Sequence, residues 1–390
     1  MKILYVVSRP LEINTSASVR NRATILGLLE NGYTVHLLTT EADENHQAYD
    51  AQMSVASVCK TTYIHLKGIQ AAARFGRKWK FLSPLRRIAY RWFSRKEVYD
   101  NLKGIAEHTD CISLKDEKYD VIISSSDPKS SHLFVFKLLE QQGSDFAGRW
   151  IQIWGDPFAG DITLSAKSKY ALIQKEEKRL LARADKVVYV SKPTLEAQQQ
   201  AYPECGEKMC FFPIPYMERS VTENRDLVTA PVVNLLYCGD YNSKIRDILP
   251  LYNAVKSLKG VHLTICGNAD ITLESCENVT VYARLPYHQV LDMEKETDIL
   301  VHLSNLRGTQ IPGKIYQYSG TNKPILFILD GDINKIREQF EEYHRYEFCL
   351  NDIEDIQKTI SELICSGKEY IPSPEFDKKI IAQKVLNDIH

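Results

Sequence analysis

The sequence lacks the features that define several common classes of protein. Its nine cysteines, spread over 390 residues, form neither a C-x₂-C pair nor a cluster with histidine. This excludes the usual zinc-site and disulfide patterns, and we expect reduced thiols. No apolar run approaches the roughly 18 residues of a membrane-spanning helix, and the first run, residues 3–7, is too short for a signal peptide. A formal net charge of −1 gives no overall attraction to nucleic acid. These absences predict a cytoplasmic protein.

What the sequence does contain is a regular alternation of apolar runs and helical patterns. Hydrophobic residues make up 44% and charged residues 25% of the chain, which is typical of a soluble globular protein. A helix is predicted from Ser18 to Glu30, with Ser18 as its cap and Gly32 as its stop. The strand candidates of this half are residues 2–7, 33–38, 119–124, 149–154 and 186–190. Continuous apolar strands separated by helices predict a parallel sheet covered on both faces.

The alternation stops near residue 212 and starts again near residue 232. Residues 218–229 are polar and are predicted to be a linker. The later strand candidates are residues 232–238, 261–266, 279–282, 298–303 and 324–329. We therefore predict an α/β protein with two Rossmann-like domains, residues 1–215 and 216–374. A C-terminal helix within residues 375–390 is expected to pack back on the first domain.

Ligands of open parallel sheets bind where the strands end, so the residues after each strand are informative. After the first strand of the second domain come Gly239 and then, at the predicted opening of a helix, Lys244 and Arg246. Two cations at a helix N-terminus suit an anion such as a diphosphate. The alternative is that both cations lie on a solvated helix face.

A second anion site is predicted after strand candidate 298–303. Pro312 suits the first turn of a helix, and Lys314 lies beside it. Thr309, Gln310 and Ile311 form a polar approach to this helix start. The alternative is an ordinary helix start without a ligand.

Taken together, these segments resemble a known family. Residues 177–191, 236–239, 298–302, 314–318 and 322–325 are similar, in order and spacing, to GT-B glycosyltransferases of the family-4 type. The resemblance covers nearly the whole chain. It implies two Rossmann-like domains facing each other across a cleft, with a UDP- or GDP-sugar bound by the second domain and the acceptor by the first. It also implies retention of anomeric configuration with no cofactor and no essential metal.

The resemblance assigns donor-binding roles in the second domain. It places Lys244 and Arg246 on the donor diphosphate, although the family usually has the first cation next to the glycine, where this chain has Asp240. Two family glutamates, with seven residues between them, are replaced by Thr309 and Gln317, and glutamine supplies hydrogen bonds but no negative charge. Arg284 falls where the family holds the nucleobase. A surface arginine is the alternative there.

The resemblance also indicates an acceptor side in the first domain. Ser18 and Arg20 follow the first loop, and Ser126 and Asp127 follow strand candidate 119–124. Asp156, in a Gly-Asp-Pro turn after strand candidate 149–154, matches a family histidine or aspartate that contacts the transferred sugar or the acceptor. The alternative for Asp156 is that it only stabilises a turn.

Residues 74–96 form a basic aromatic segment with nine lysines or arginines and no acid. A helix from Pro84 would place an apolar face opposite three cations, which suits the surface of an anionic membrane. The residues of this predicted membrane contact are Arg86, Arg87, Arg91, Trp92 and Phe93. Two alternatives remain open: the apolar face packs on the core, or the segment binds nucleic acid.

The function predicted from the sequence is hexosyl transfer, with retention, from a nucleoside-diphosphate sugar to a hydroxyl of a lipid-linked glycan in the synthesis of a surface polysaccharide. The expected location is the cytoplasmic face of the inner membrane. No nucleic-acid partner is expected. Asp156, Lys244 and Arg246 are the predicted catalytic residues. Two rival functions are a nucleotide-sugar epimerase and a non-catalytic partner protein of the same fold.

Overall fold

The computed structural model of the chain describes residues 1–66, 97–109, 118–143, 146–161 and 169–387. The predicted membrane-contact residues Arg86, Arg87, Arg91, Trp92 and Phe93 lie outside these ranges. The chain divides into two compact units, one formed by Met1–Pro213 with Lys378–His390 and the other by Ile214–Asp377. Among the described residues, none of the helices has both the length and the apolar composition needed to cross a membrane.

Unit 1, Met1–Pro213 with Lys378–His390, is built on a parallel sheet. Its strands are β1 (Lys2–Val6), β2 (Thr34–Thr40), β3 (Lys60–Ile64), β4 (Tyr119–Ser125), β5 (Ala147–Trp154), β6 (Lys186–Tyr189) and β7 (Met209–Phe211). The strand order is β3-β2-β1-β4-β5-β6-β7, and every pairing is parallel. The central strands are buried apolar runs, as expected for a sheet covered on both faces.

The side chains of Thr15 and Ser191 cap two of the helices of unit 1. The helices of this unit are α1 (Ser16–Glu30), α2 (Ser130–Gln142), α3 (Tyr170–Arg183) and α4 (Lys192–Ala201). The cap of α1 is Thr15, whose hydroxyl accepts a hydrogen bond from the Ser18 amide, so the prediction that Ser18 caps this helix is wrong by three residues. After α1 the chain turns at Gly32, whose φ of 81° favours glycine.

Unit 2, Ile214–Asp377, repeats the same plan. Its strands are β8 (Val233–Cys238), β9 (Val261–Cys266), β10 (Val279–Tyr282), β11 (Ile299–Leu303), β12 (Ile325–Leu329) and β13 (Glu347–Leu350). Its helices are α5 (Leu249–Lys256), α6 (Tyr287–Glu296), α7 (Lys314–Tyr318), α8 (Ile333–Glu341) and α9 (Ile353–Cys365). The strand order is β10-β9-β8-β11-β12-β13. In each described sheet the strand order therefore reverses between the first strand and its later neighbour, β1 and β4 in unit 1 and β8 and β11 in unit 2. This is the topological switch point of a doubly wound fold.

The last helix, α10 (Lys378–Leu386), belongs to unit 1 although it follows unit 2 in the chain. It packs against α1 so closely that a Cβ on Gly27 would lie 2.1 Å from the Lys378 carbonyl oxygen. The Asn31 side chain donates a hydrogen bond of 2.8 Å to the Lys379 carbonyl. Glycine at position 27 thus permits a backbone-to-backbone contact that a larger residue would prevent.

Candidate functional site

At the switch point of unit 1, side chains that follow three neighbouring strands of the sheet, β1, β4 and β5, converge. Arg20 lies on α1 after β1, Asp127 follows β4 and Asp156 follows β5. Arg20 is only 5% exposed, and its Nη2 donates to the Ser125 hydroxyl at 3.4 Å. A Cβ on Gly155 would lie 2.3 Å from Arg20 Nη1, so the absence of a side chain at Gly155 makes room for the guanidinium.

The charges of this cluster shift one another's protonation. Burial first, and then the negative charge of Asp127, raise the pKa of Asp156 to about 7. Burial also acts to raise the pKa of Asp127, but Lys129, Arg20 and Asp156 together outweigh it and lower that pKa overall. Burial lowers the pKa of Arg20, an effect that Asp127 and Asp156 oppose. At neutral pH, therefore, Asp156 holds a proton part of the time while Asp127 is ionised.

Lys129 is the residue of this cluster that the sequence analysis did not single out. It immediately precedes α2, is 6% exposed and forms an ion pair with Asp127. Burial disfavours its charge, but Asp127, Asp156 and Asp161 outweigh burial and raise the pKa of Lys129. The sequence offered one signal, a cation two residues after an aspartate at the end of a strand.

The two predicted acceptor-site serines are occupied by local hydrogen bonds. The Ser18 hydroxyl donates to the Ile13 carbonyl at 2.6 Å, and the Ser126 hydroxyl accepts from the Gly155 amide at 3.2 Å. Both residues are buried. The Ser18 hydroxyl ties the start of α1, which carries Arg20, to the loop before it, and the Ser126 hydroxyl binds the turn that carries Asp156. A direct contact of either hydroxyl with an acceptor remains a prediction.

In unit 2, Arg246 lies at the corresponding switch point, beside Gly239 at the end of β8. Its Nε and Nη2 donate to Asn305 Oδ1, which follows β11, at 3.2 and 2.8 Å. Its Nη1 donates to the Asp240 carbonyl at 2.7 Å and to the Tyr237 hydroxyl at 3.4 Å. In the described part of the chain, the partners of this guanidinium are neutral oxygens, so its positive charge is held in place without being cancelled.

The prediction that Lys244 and Arg246 open a helix is wrong, because α5 begins at Leu249. The Asn242 side chain accepts a hydrogen bond from the Lys244 amide, and the Asn242 amide bonds to the Arg246 carbonyl. These bonds form a tight turn that directs the chain away from helix. Lys244 is exposed on this turn, next to Asp270, whose pKa it helps to lower after the larger effect of Ser243.

Lys314 also lies at the carboxyl edge of this sheet, in an ion pair. Its Nζ is 2.5 Å from Glu294 Oε1 and 5.5 Å from the centre of the Tyr318 ring. Burial disfavours its charge, but Glu294, with smaller contributions from neighbouring groups, outweighs burial and raises the pKa of Lys314. The helix that starts here, α7, spans five residues, so the predicted anion site at a helix N-terminus reduces to Lys314 and its surroundings.

The remaining predicted donor-site residues fall into two groups. Thr309, Gln310 and Ile311 lie in the loop before α7, and the Gln310 carbonyl accepts a hydrogen bond of 2.9 Å from Asn305 Nδ2. Gln317 points to a distant segment instead: its Oε1 accepts from the Met217 amide at 2.9 Å, and its Nε2 donates to the Pro215 carbonyl at 3.0 Å. The amide of Gln317 therefore ties the start of unit 2 to α7.

Arg284 follows β10 and forms an ion pair of 3.6 Å with Asp240. Asp240 occupies the position where the family resemblance leads one to expect a cation, and its Oδ1 also accepts from the Asn268 amide at 2.9 Å. Both side chains are substantially exposed. Arg284 thus brings a positive charge close to Asp240, the position at which the family usually has a cation.

No family model matches the sequence, and no curated protein matches it. Solved structures match over nearly the whole chain. The apo form of the lipopolysaccharide outer core galactosyltransferase WaaB has 13% identity and a TM-score of 0.56, with 98% of this chain and 97% of that chain covered. Anabaena HepE in complex with UDP and glucose has 12% identity and a TM-score of 0.57, with 99% and 96% covered. A UDP-N-acetylglucosamine 2-epimerase has 12% identity and a TM-score of 0.52, with 98% and 90% covered.

At such low identities the likeness concerns the fold. Two units with the same doubly wound strand order, matched along their full length by glycosyltransferase structures, define the GT-B fold. The predicted fold class is confirmed. The site adds two clusters at the switch points, one of carboxyl groups with Arg20 and Lys129, and one centred on Arg246.

Proposed function

We propose that the chain is a glycosyltransferase that moves a sugar from a UDP- or GDP-sugar to a hydroxyl group of an acceptor. Unit 2 binds the donor and unit 1 binds the acceptor. The observation that carries the proposal is Arg246, a guanidinium held at the switch point beside Gly239 by neutral oxygens. A fixed and uncompensated cation next to a glycine turn is suited to a diphosphate.

In this proposal Arg246 and Lys314 stabilise the negative charge that develops on the departing nucleoside diphosphate. Such preorganised charge is a large part of the rate effect in many enzymes. Asp156, with a pKa raised to about 7 by burial and by Asp127, contacts a hydroxyl of the transferred sugar or of the acceptor. Transfer of a hexose with retention of configuration follows from the family resemblance and is part of the proposal.

The finer proposal concerns the acceptor and its location. We propose a lipid-linked glycan in surface polysaccharide synthesis, reached at the cytoplasmic face of the inner membrane. The support is the basic aromatic segment, residues 74–96. Flotation with anionic vesicles tests it: the protein should float, and reversing the charges of Arg86, Arg87 and Arg91 should abolish flotation. Equal behaviour of both proteins, without binding, would remove the membrane part of the proposal.

Calorimetric titration with UDP and with GDP tests the donor site. Binding of one of them is expected, and Arg246→Ala should weaken it by about 30-fold or more, because losing a charged hydrogen-bonding partner costs roughly 2 kcal/mol or more. Lys259→Ala is the control, since Lys259 is exposed and precedes β9 at the opposite edge of the sheet. Absence of binding, together with absence of turnover in donor screens, would favour a non-catalytic partner protein.

An epimerase is the second candidate, favoured by one observation. Asp156, with a pKa near 7, has the protonation behaviour of an acid–base catalyst. Incubation with a UDP-sugar in the absence of acceptor separates the two functions. An epimerase converts the donor to a stereoisomer, which NMR detects, whereas a transferase leaves the sugar configuration unchanged.

A further inference from the structure

Asn305 is the residue that connects Arg246 to the rest of the switch point of unit 2. It lies two residues after the end of β11 and is only 6% exposed. Its Oδ1 accepts hydrogen bonds from Nε and Nη2 of Arg246 at 3.2 and 2.8 Å, and its Nδ2 donates to the Gln310 carbonyl at 2.9 Å. One amide group thus joins the guanidinium to the loop that leads to Lys314.

The backbone holds these two side chains against each other. The Leu306 amide donates to the Ile245 carbonyl at 2.7 Å. These two residues follow Asn305 and precede Arg246, so a backbone bond lies next to the side-chain bonds. On the other side, a Cβ on Gly331 would lie 2.5 Å from the Asn305 carbonyl oxygen, so the loop after β12 packs directly on Asn305. Asn305 therefore has little freedom to move away from the guanidinium.

The carboxylates that flank Arg246 in the sequence have other partners. Asp240 accepts from Arg246 through its backbone carbonyl, while its carboxylate accepts from the Asn268 amide at 2.9 Å and lies 3.6 Å from Arg284. The carboxylate of Asp247 accepts from the first amide of α5 at 3.0 Å. A guanidinium bonds more strongly to a carboxylate than to a neutral amide. If stability alone mattered, an acid at position 305 would hold the guanidinium more firmly.

We infer that Asn305 is a positioning residue: it fixes the guanidinium of Arg246 with a neutral oxygen, so that the positive charge is available to an anionic ligand. The class of ligand, a nucleoside diphosphate, rests on the proposed function. The charge of Arg246 acts on its surroundings, because it adds to the larger effect of burial in lowering the pKa of His302. A carboxylate at position 305 would hold the guanidinium as well but would cancel much of its charge.

Two substitutions of Asn305 separate position from charge in calorimetric titrations with UDP, or with GDP if the wild-type protein binds that nucleotide instead. Asn305→Asp keeps an acceptor for Arg246 but adds a negative charge where the diphosphate should bind. It should weaken binding by about 30-fold or more, because like charges placed side by side are costly. Asn305→Ala removes the bonds and leaves the charge of Arg246, so it should weaken binding only about fivefold.

Stability should follow the opposite order. Asn305→Asp loses the bond to Gln310 but keeps a charge-assisted bond to Arg246, whereas Asn305→Ala loses both, so Asn305→Ala should unfold at the lower urea concentration. Asn253→Asp, the same chemical change at an exposed position of α5, should alter neither affinity nor stability. A merely structural Asn305 would make affinity follow stability. Nucleotide binding that is weaker in Asn305→Ala than in Asn305→Asp would therefore overturn the inference.

Failure of the proposed function has a different signature. A wild-type protein that binds neither UDP nor GDP would contradict the donor site, and hydrogen exchange of the unliganded full chain would still test the positioning role. In Asn305→Ala the amides of residues 245–246 and 306–311 should exchange faster than in the wild-type protein, because both connections lose the side chain that joins them. Exchange that stays at the wild-type rate in both segments would overturn the inference.

Discussion

The two units share a strand order but present different electrostatic environments at their switch points. In unit 1, Arg20 and Lys129 face Asp127 and Asp156, so the cluster is nearly balanced in charge. In unit 2, Arg246 is held by neutral oxygens. In the proposed function, the same backbone plan thus provides one site for neutral hydroxyl groups and one for an anion. The difference arises from a few side chains after the strands, and the fold alone does not determine it.

The largest difference between the two units is expected in the loss of stability when a glycine at a close backbone contact is replaced by alanine. A Cβ on Gly267 would lie 2.1 Å from the Gly239 carbonyl oxygen, whereas the atoms nearest to a Cβ on Gly155 belong to the guanidinium group of the Arg20 side chain. Gly267→Ala should therefore cost about 3 kcal/mol of stability, at the upper end for overpacking, and also displace the loop that carries Gly239.

Urea unfolding and UDP titration measure both consequences. The matched variant in unit 1, Gly155→Ala, should cost about 1 kcal/mol and leave UDP affinity unchanged. Equal losses of stability in the two variants would contradict the distinction between a backbone obstacle and a side-chain obstacle.

Glu294→Gln should be the next most severe change. It leaves the partly buried ammonium group of Lys314 without its carboxylate partner, Glu294, and breaking such an ion pair from one side should cost about 2 to 3 kcal/mol, somewhat less than for a fully buried pair. Replacing both residues, with Lys314→Met and Glu294→Leu, should restore most of the stability. Thermal unfolding checks the pair, and a wild-type transition in Glu294→Gln would show that Lys314 is solvated in the folded protein.

Gln317→Glu should have an intermediate effect. The carboxylate still accepts from the Met217 amide but cannot donate to the Pro215 carbonyl, and an unsatisfied polar group costs about 2 kcal/mol. The loss should shrink at acidic pH, where a protonated carboxyl group can donate. Gln289→Glu, at an exposed position of α6, is the control for the same chemical change. A neutral effect of Gln317→Glu would argue against the structural role of this amide.

The smallest effect is expected at Lys244. Because this side chain is exposed on a turn, Lys244→Ala should change UDP affinity less than about threefold, as surface charges contribute little. Lys259→Ala is the matched lysine variant. A loss of UDP affinity comparable to that of Arg246→Ala would indicate that Lys244 belongs to the diphosphate site. It would then contradict the distinction between the hydrogen-bonded Arg246 and the exposed Lys244.

The sequence predicted the central strands well because they are buried on both sides and therefore uniformly apolar. It did not reveal β3, β7 and β13, which each pair with a neighbour on one side in the described sheets. β3 contains threonines and a lysine, and β7 has only three residues. Such strands are specified by the neighbour they pair with, and their own apolar pattern is weak.

Site residues could be predicted where their position after a strand is enough to identify them. They could not be predicted where the direction of the side chain decides whether it reaches the site. Arg20, Asp127 and Asp156 were identified by their places after β1, β4 and β5. The outward turn at Lys244 depends on hydrogen bonds of Asn242. The use of Gln317 depends on Met217, which is 100 residues away in the chain. Non-local contacts of this kind leave no periodic pattern in a single sequence.

The packing of α10 on α1 has a consequence for synthesis. Residues 1–213 of unit 1 leave the ribosome before unit 2, yet residues 378–386, which cover Gly27 of α1, are translated only after all of unit 2. Because domains fold as their residues emerge, the nascent chain completes its second unit before its first. Until then α1 exposes a surface shaped for a helix that has not yet been made.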